Sequence, residues 1–180
     1  KEDLIGFLKL PSEKISVIYQ SCNPVFLNNF SEEYNLGIRK KYNLPERYLL
    51  YVGTIEERKN LLGIVKGLHS SNIDIPLIVI GRKVRSYYKN ILSYIASNKL
   101  SNILFAESIL NTELPIIYRN AECFIYTSFF EGFGIPLLEA LVSGTPVITS
   151  KGGCFSEAGG PGSIYVDPVN HEEIGEAIRK

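Results

Sequence analysis

The stretch CFIYTSFFEGFGIPLLEALVSGTPVIT, residues 123–149, contains a complete strand–loop–helix–strand unit. Its first run, Cys123–Tyr126, and its last run, Pro146–Thr149, are short and mostly apolar rather than alternating, which is typical of strands buried on both faces of a parallel sheet. Between them, Pro136 suits the first turn of a helix over residues 136–143. The unit therefore predicts a right-handed crossover between two parallel strands.

The same alternation of strand and helix extends along the chain on both sides of this unit. Strands are predicted at Tyr48–Val52, Leu77–Ile80, Asn102–Phe105, Cys123–Tyr126, Pro146–Thr149 and Ser163–Val166. Helices are predicted over residues 60–70, 84–98, 112–120, 136–143 and 170–180. This order indicates the α/β class: a Rossmann-like, doubly wound parallel sheet of about six strands with helices on both faces. Such sheets bind ligands beyond the carboxyl ends of their strands.

The first 46 residues follow a different pattern. The expected elements there are a helix end over residues 2–9, a strand at Lys14–Tyr19, a turn at Asn23-Pro24 and a helix at Glu32–Tyr42. We interpret residues 1–46 as a lead-in or hinge from an amino-terminal domain outside this chain. Residues 47–180 are interpreted as a ligand-binding domain.

Bulk composition narrows the function classes. With 19 basic and 19 acidic residues the formal net charge is zero, which argues against a general nucleic-acid binder. The three cysteines, Cys22, Cys123 and Cys154, are odd in number and form no CxxC pair, so a reducing, cytoplasmic setting is expected, with Cys123 packing in the core. His69 and His171 are far apart in sequence, and no metal site is predicted. No apolar run approaches the roughly 18–20 residues of a membrane span.

The loop after the first strand, Gly53–Asn60 (GTIEERKN), carries two adjacent cations. Arg58 and Lys59 stand at a predicted helix entrance with Asn60 as its N-cap, and a helix entrance already favours anions such as a diphosphate. A solvated turn, in which two preceding glutamates balance the cations, remains the alternative. The chain has no G-x-G-x-x-G and no Walker A loop, which argues against a dinucleotide oxidoreductase and a P-loop enzyme.

The loop after the fourth strand places two carboxylates around a glycine-rich helix entrance. Glu131 precedes the predicted helix and Glu139 lies in or just past its first turn, while Gly132 and Gly134 allow close approach of a ligand to the backbone. A carboxylate accepts two hydrogen bonds from a vicinal diol of a ribose or hexose, and the amides between them can face phosphate. Alternatively, Glu139 only complements the helix dipole and the glycines form a tight turn.

These motifs together resemble the carboxyl-terminal domain of family-four retaining glycosyltransferases (glycosyl transferases group 1), which have the two-domain GT-B fold. The similar stretches are YVGTIEERKNL, LIVIGR, ELPIIYRNAECFIYTSFFEGFGIPLLEALVSGTPVITS and SEAGGPGSIYVDP, and they cover nearly all of residues 48–180. The spacing of Glu131 and Glu139, with seven residues between them, is the hallmark of that family. The segment Gly152–Glu157 is richer in glycine than the usual family connection.

The resemblance implies a role for each matching residue. Glu139 would bind the ribose and Glu131 the hydroxyls of the donor sugar, while Arg58 and Lys59 would hold the diphosphate and stabilise its growing charge. Arg58, Lys59 and Glu131 would therefore be the catalytic residues. The implied donor-binding residues are Gly53, Arg58, Lys59, Glu131, Gly132, Phe133, Gly134, Ile135 and Glu139. The nucleobase would lie near Glu107–Leu110 and Gly81-Arg82.

The activity that the resemblance implies is transfer of a hexose from a nucleotide diphosphate sugar to a glycan or glycolipid acceptor, in cell-surface polysaccharide synthesis. The ERKN string favours mannosyltransferase-like members. No metal and no cofactor is expected. The acceptor would be held by an amino-terminal domain outside this chain, so we expect the chain alone to be inactive and the full-length enzyme to associate peripherally with the inner membrane surface. A nucleotide-sugar epimerase of the same fold and a non-catalytic nucleotide-binding module remain alternatives, whereas a carboxylate pair beside a phosphate loop fits a glycoside hydrolase poorly.

Overall fold

A computed structural model describes all 180 residues. Its centre is a six-stranded parallel sheet in the order β3-β2-β1-β4-β5-β6. The strands are β1 Leu49–Val52, β2 Leu77–Ile80, β3 Ile103–Ala106, β4 Cys123–Tyr126, β5 Val147–Ser150 and β6 Ile164–Val166. All six predicted strands are confirmed, and none of their ends is displaced by more than one residue.

The chain has eight α-helices: α1 Glu2–Leu8, α2 Glu32–Lys41, α3 Leu61–Ser71, α4 Arg85–Ser97, α5 Leu114–Arg119, α6 Ile135–Val142, α7 Phe155–Gly159 and α8 His171–Ile178. Short 3₁₀ turns are formed by Ser12–Lys14, Pro24–Leu27 and Glu57–Lys59. The predicted helices are confirmed, and α7 is an addition that the sequence pattern did not reveal. No helix has both the length and the apolar character needed to cross a membrane.

The predicted strand at Lys14–Tyr19 is wrong. Ser12–Lys14 forms a 3₁₀ turn, and the residues after it pair with no strand. None of the apolar side chains that suggested a strand is buried, and Val17 and Ile18 are 53% and 90% exposed. Tyr19 lies against Phe133, with 5.8 Å between ring centroids, so this segment crosses the loop before α6 rather than following a sheet edge.

Two apolar clusters cover the two faces of the sheet, because successive strand residues point to opposite sides. In β1, Leu50 packs in the cluster that contains α5, α6 and α7, while Leu49 and Tyr51 pack in the cluster that contains α3, α4 and α8. Cys123 packs partly buried against the second cluster, and this burial raises the pKa of its thiol to about 12. All three cysteines are free thiols.

Parts of the lead-in segment belong to the first cluster. Phe26 and Ile38 are buried there, and the Arg119 guanidinium donates to the backbone carbonyls of Phe26 and Asn28 at 3.1 and 2.7 Å. Residues 1–46 thus contribute to the same core as the sheet. Their role as a hinge stays a prediction.

The strand order reverses at β1, which lies between β2 and β4. The carboxyl ends of β1 and β4 therefore flank the crevice in which doubly wound sheets bind ligands. Gly81 follows β2 and packs directly against the loop after β1. Its φ is +155°, and a Cβ there would lie 1.9 Å from the carbonyl oxygen of Gly53. Only glycine allows the loops after β1 and β2 to pack this closely.

Candidate functional site

The carboxyl ends of β1 and β4 bring Arg58, Lys59 and Glu131 into contact. Lys59 Nζ donates to Glu131 Oε1 at 2.5 Å, and Arg58 Nη1 forms an ion pair with Glu131 Oε2 at 3.1 Å. Arg58 also pairs with Glu56 Oε1 at 2.8 Å and donates to the carbonyl oxygen of Phe130 at 2.7 Å. The three residues for which the resemblance implies a catalytic role thus form one cluster.

Tyr126, the last residue of β4, completes this cation–carboxylate cluster of Arg58, Lys59, Glu131 and Tyr126. Its hydroxyl donates to Glu131 Oε1 at 2.9 Å and accepts a hydrogen bond from Lys59 Nζ at 2.5 Å. Lys59 Nζ also lies 5.0 Å from the centroid of the Tyr126 ring, within the range of a cation–π contact. The side chains of Lys59 and Glu131 are only 12% and 10% exposed, so their charges are held in a largely dry position.

The ionisation of Glu131 follows from these contacts. Burial alone raises the pKa of this carboxyl, but the hydrogen bond and charge of Lys59, together with the hydrogen bond from Tyr126, outweigh burial. The pKa of Glu131 is therefore below its usual value. Glu131 is a carboxylate at neutral pH, which suits an acceptor of hydrogen bonds and not a proton donor.

Asn60 holds the two loops of the site together. Its side-chain amide donates to the carbonyl oxygens of Thr127 and Pro168 at 3.0 and 2.7 Å, and the backbone N–H of Phe129 donates to the carbonyl oxygen of Arg58 at 2.9 Å. The prediction that the Asn60 side chain caps α3 is wrong. The residue occupies the N-cap position but has a left-handed backbone (φ 54°) instead of the extended one that side-chain caps use, and it makes no cap bond.

The entrance of α6 presents unpaired amides beside Glu131. Pro136 lies in the first turn of α6, as the sequence predicted, and Gly134 before it has φ +98°. The N–H groups of Gly132, Phe133, Gly134 and Ile135 donate to no acceptor in the protein. A Cβ on Gly132 would meet nothing within 4 Å, so its glycine is not required by packing within this chain.

Glu139 lies on α6 outside the cation–carboxylate cluster. It has no cation as a partner, and its Oε2 accepts one hydrogen bond, from the Tyr118 hydroxyl at 3.2 Å. Burial raises the pKa of Glu139, and the Tyr118 bond offsets only part of this effect. The two glutamates of the family spacing thus have opposite pKa shifts, because Glu131 is paired with cations and Glu139 is not.

The remaining predicted positions lie along the same edge of the sheet. Gly53 follows β1, and its N–H donates to the carbonyl oxygen of Ile80 at 2.9 Å. The Arg82 carbonyl accepts from the N–H of Ile55 at 2.8 Å, which joins the loops after β1 and β2. In the loop after β3, Glu107 pairs with Lys83.

Two tyrosines of the site were missed by sequence reasoning. Tyr126 and Tyr118 each donate a hydrogen bond to one of the two glutamates. A signal was present for Tyr126, since it ends a buried strand at the edge where ligands bind. A weaker signal was present for Tyr118, because its hydroxyl is the one polar side-chain group in the apolar run LPIIY and a buried hydroxyl needs a hydrogen-bond partner.

A cavity of about 1040 Å³, here called the Glu131 cavity, opens on the side of the α6 entrance loop. Its lining consists of Lys1–Asp3, Val17–Gln20, Phe129–Phe133, Lys151–Phe155 and Glu157. Glu131, Gly132 and Phe133 line it, whereas Arg58, Lys59 and Glu139 do not. No group of three or more His, Cys, Asp or Glu side chains is arranged to hold a metal ion.

Comparison with known proteins adds to this geometry. Residues 37–180 match the family Glycosyl transferases group 1. The chain belongs to this family. It is 33% identical over 182 residues to the O-antigen chain mannosyltransferase RfbU of Salmonella typhimurium, covering 99% of this chain and 47% of the relative. It is 28% identical over 185 residues to O-antigen chain mannosyltransferase B of Escherichia coli, covering 99% of this chain and 48% of the relative.

The fold is that of one half of a GT-B glycosyltransferase. The crystal structure of HepE from Anabaena in complex with UDP-glucose superimposes with a TM-score of 0.80 at 19% identity, covering 94% of this chain and 48% of HepE. The chain thus spans about half the length of the curated relatives and of the solved structure that it matches. The predicted fold class is confirmed.

Proposed function

We propose that this chain is the donor-binding half of a retaining glycosyltransferase that moves a hexose, in particular mannose, from a nucleotide diphosphate sugar to a glycan or glycolipid of the cell surface. The observation that carries the proposal is the cluster of Arg58 and Lys59 around Glu131 at the crevice between β1 and β4. Two relatives are named O-antigen chain mannosyltransferases, which supports the choice of sugar and acceptor class.

The two cations provide for the diphosphate. Arg58 is 43% exposed and can fork two phosphate oxygens, while Lys59 supplies a buried point charge. The unpaired amides of Gly132–Ile135 add fixed dipoles beside them. As the sugar leaves, negative charge grows on the diphosphate, and preorganised cations and amides in a dry site stabilise that charge. In this proposal they take the role that a divalent metal has in other transferases.

The two glutamates provide for the hydroxyl groups. Glu131 already accepts from Lys59 and Tyr126 on Oε1 and is paired with Arg58 on Oε2, and its remaining lone pairs can accept from a sugar hydroxyl. Glu139 has an unused Oε1 and one hydrogen bond on Oε2, which leaves room for the two hydroxyls of a ribose. Glu131 and Glu139 do not act together as a general acid and base in this scheme.

Isothermal titration of the chain with UDP, GDP and ADP tests the proposal. We expect at least one nucleoside diphosphate to bind, and we expect Arg58→Ala and Lys59→Gln to weaken that nucleotide. The matched control is Arg47→Ala, since this exposed cation pairs with Glu122 away from the cluster. Absence of heat with all three nucleotides, or equal loss with the control variant, would contradict a donor site at this crevice.

A further inference from the structure

The amino end of α5 is joined to the lead-in segment by a buried carboxylate. Glu113 stands at the N-cap of α5, and its side chain is only 8% exposed. Lys41 Nζ donates to both carboxylate oxygens of Glu113 at 2.8 Å, and the Tyr42 hydroxyl donates to Oε2. Lys41 is the last residue of α2 and Tyr42 follows it. Because the carboxylate is buried, loss of either partner would leave its charge poorly compensated.

The carboxyl end of α5 is joined to the same helix α2. Asn120 stands at the C-cap of α5, and its Oδ1 accepts a hydrogen bond from Arg39 Nη1 at 3.2 Å. Its Nδ2 donates to Asn35 Oδ1 at 2.9 Å and to the carbonyl oxygen of Ile116 at 2.7 Å. With bonds to α2 at both ends, α5 cannot slide or rotate relative to α2 without breaking at least one of them.

Between these two ends, α5 carries the hydrogen-bond donor of Glu139. Tyr118 is fully buried, and its ring centroid lies 5.5 Å from that of Phe26 in the lead-in segment and 5.1 Å from that of Phe124 in β4. Its hydroxyl donates to Glu139 Oε2 at 3.2 Å, the long end of hydrogen-bond distances. A small displacement of α5 would therefore break the one hydrogen bond that Glu139 accepts.

We propose that Glu113 and Asn120 are positioning residues for Glu139: they fix α5 to α2, and α5 presents the Tyr118 hydroxyl to the carboxylate. The inference rests on the proposed function, in which Glu139 accepts the ribose hydroxyls of the donor. Both residues act through Tyr118 and not on the donor itself. Loosening of α5 should therefore weaken recognition of the ribose and spare the two cations that would hold the diphosphate.

Paired calorimetric titrations isolate the ribose from the rest of the nucleotide. The probes are UDP, GDP and ADP, their 2′-deoxy counterparts, and pyrophosphate. For the unaltered chain we expect a ribonucleotide to bind more tightly than its deoxy counterpart by roughly 2- to 12-fold, the contribution of about one net hydrogen bond. Asn120→Ala and Glu113→Gln should each lower this ribose ratio and leave the affinity for pyrophosphate unchanged. A purely structural role would instead weaken all probes alike.

Ser71→Ala is the matched control for a loss of stability alone. The Ser71 hydroxyl is buried on α3, at the opposite face of the sheet from α5. It donates to the carbonyl oxygen of Leu68 at 2.7 Å and accepts from the N–H of Ile73 at 3.2 Å. Ser71→Ala should lower the melting temperature and leave the ribose ratio unchanged.

Carbon NMR of the Glu139 carboxyl gives a second measurement that needs no ligand. The Tyr118 hydrogen bond lowers the pKa of Glu139, so Tyr118→Phe should raise this pKa, and Asn120→Ala and Glu113→Gln should shift it in the same direction. An unchanged pKa in both α5 variants, or a ribose ratio that neither of them alters, would overturn the proposal. If no nucleotide and no pyrophosphate bound while the pKa still shifted, the positioning of Glu139 would stand and the donor site alone would be contradicted.

Discussion

The Tyr126 hydroxyl provides a sharp test of how the site is held together. Tyr126→Phe keeps the ring and removes two hydrogen bonds, the one that the hydroxyl donates to Glu131 and the one that it accepts from Lys59. Hydrogen bonds to charged groups contribute about 1.5–3 kcal/mol each, whereas a neutral one contributes about 0.5–1.5 kcal/mol. Because the two bonds share one hydroxyl and are not additive, we expect a loss of about 2–3 kcal/mol in the free energy of unfolding.

Tyr48→Phe is the matched control for this substitution. Tyr48 is also fully buried, but its hydroxyl donates to a neutral partner, the carbonyl oxygen of Ile117, at 2.6 Å. We expect a loss of about 1 kcal/mol for Tyr48→Phe. At about 2–4 °C per kcal/mol for a domain of this size, the two melting temperatures should differ by roughly 2–8 °C in a thermal-shift assay.

The same pair of variants separates stability from function. Without its tyrosine partner, Lys59 is less firmly positioned, so we expect Tyr126→Phe to weaken the nucleoside diphosphate by about tenfold, or about 1.4 kcal/mol. Tyr48→Phe should leave this affinity unchanged. The reasoning would be refuted if Tyr126→Phe were no more destabilising than Tyr48→Phe and bound the nucleotide as tightly as the unaltered chain.

Three further predictions concern the parts that support the site. Asn60→Gly keeps the left-handed backbone but removes both hydrogen bonds of the side-chain amide, so urea denaturation should show a loss of about 1–3 kcal/mol, and an unchanged midpoint would contradict the bridging role. For Glu113, burial raises the pKa, but the hydrogen bonds from Lys41 and Tyr42 and the charge of Lys41 outweigh burial, so the pKa lies below its ordinary value. Its contribution should be complete above pH 4.5 and lost as the pH falls through the folded-state pKa, and Glu113→Gln should remove this acid-dependent part of a pH series of unfolding curves. Gly81→Ala should destabilise by at least about 1–3 kcal/mol from its backbone conformation alone, with a further steric cost because the new Cβ meets the Gly53 carbonyl oxygen; a melting temperature equal to that of the unaltered chain would exclude this close approach.

The sheet was predictable from sequence because its four inner strands are mostly buried and all six strands read as short, mostly apolar runs. The cluster of Arg58, Lys59 and Glu131 was predictable in part, because the motifs follow strands whose carboxyl ends share one edge. Direct contact between the two cations and Glu131 depends in addition on the strand order, which makes β1 and β4 neighbours. Tertiary topology of this kind is not contained in any local pattern.

The errors at Lys14–Tyr19 and Asn60 have a common physical origin. Both predictions used local propensity, an apolar run for a strand and an asparagine before a helix for a cap. Tertiary contacts overrode each of them: Tyr19 lies on Phe133, and the Asn60 amide bridges to the carbonyls of two other loops. A strand needs a free sheet edge beside it, and a side-chain cap needs an extended backbone, and neither condition can be read from the residues alone.

The charge balance of the site bears on how a neutral chain would bind the strongly anionic donor that we propose. Without ligand, the charges of Arg58 and Lys59 are matched by those of Glu56 and Glu131. A diphosphate therefore gains little from long-range attraction and must exchange partners at close range. Arg58 is the more exposed of the two cations, with its side chain 43% exposed against 12% for Lys59, so it is the cation that can turn to phosphate at least cost. Lys59 is held by Glu131 and Tyr126, so in the proposed donor site Arg58 would capture the diphosphate and Lys59 would position it.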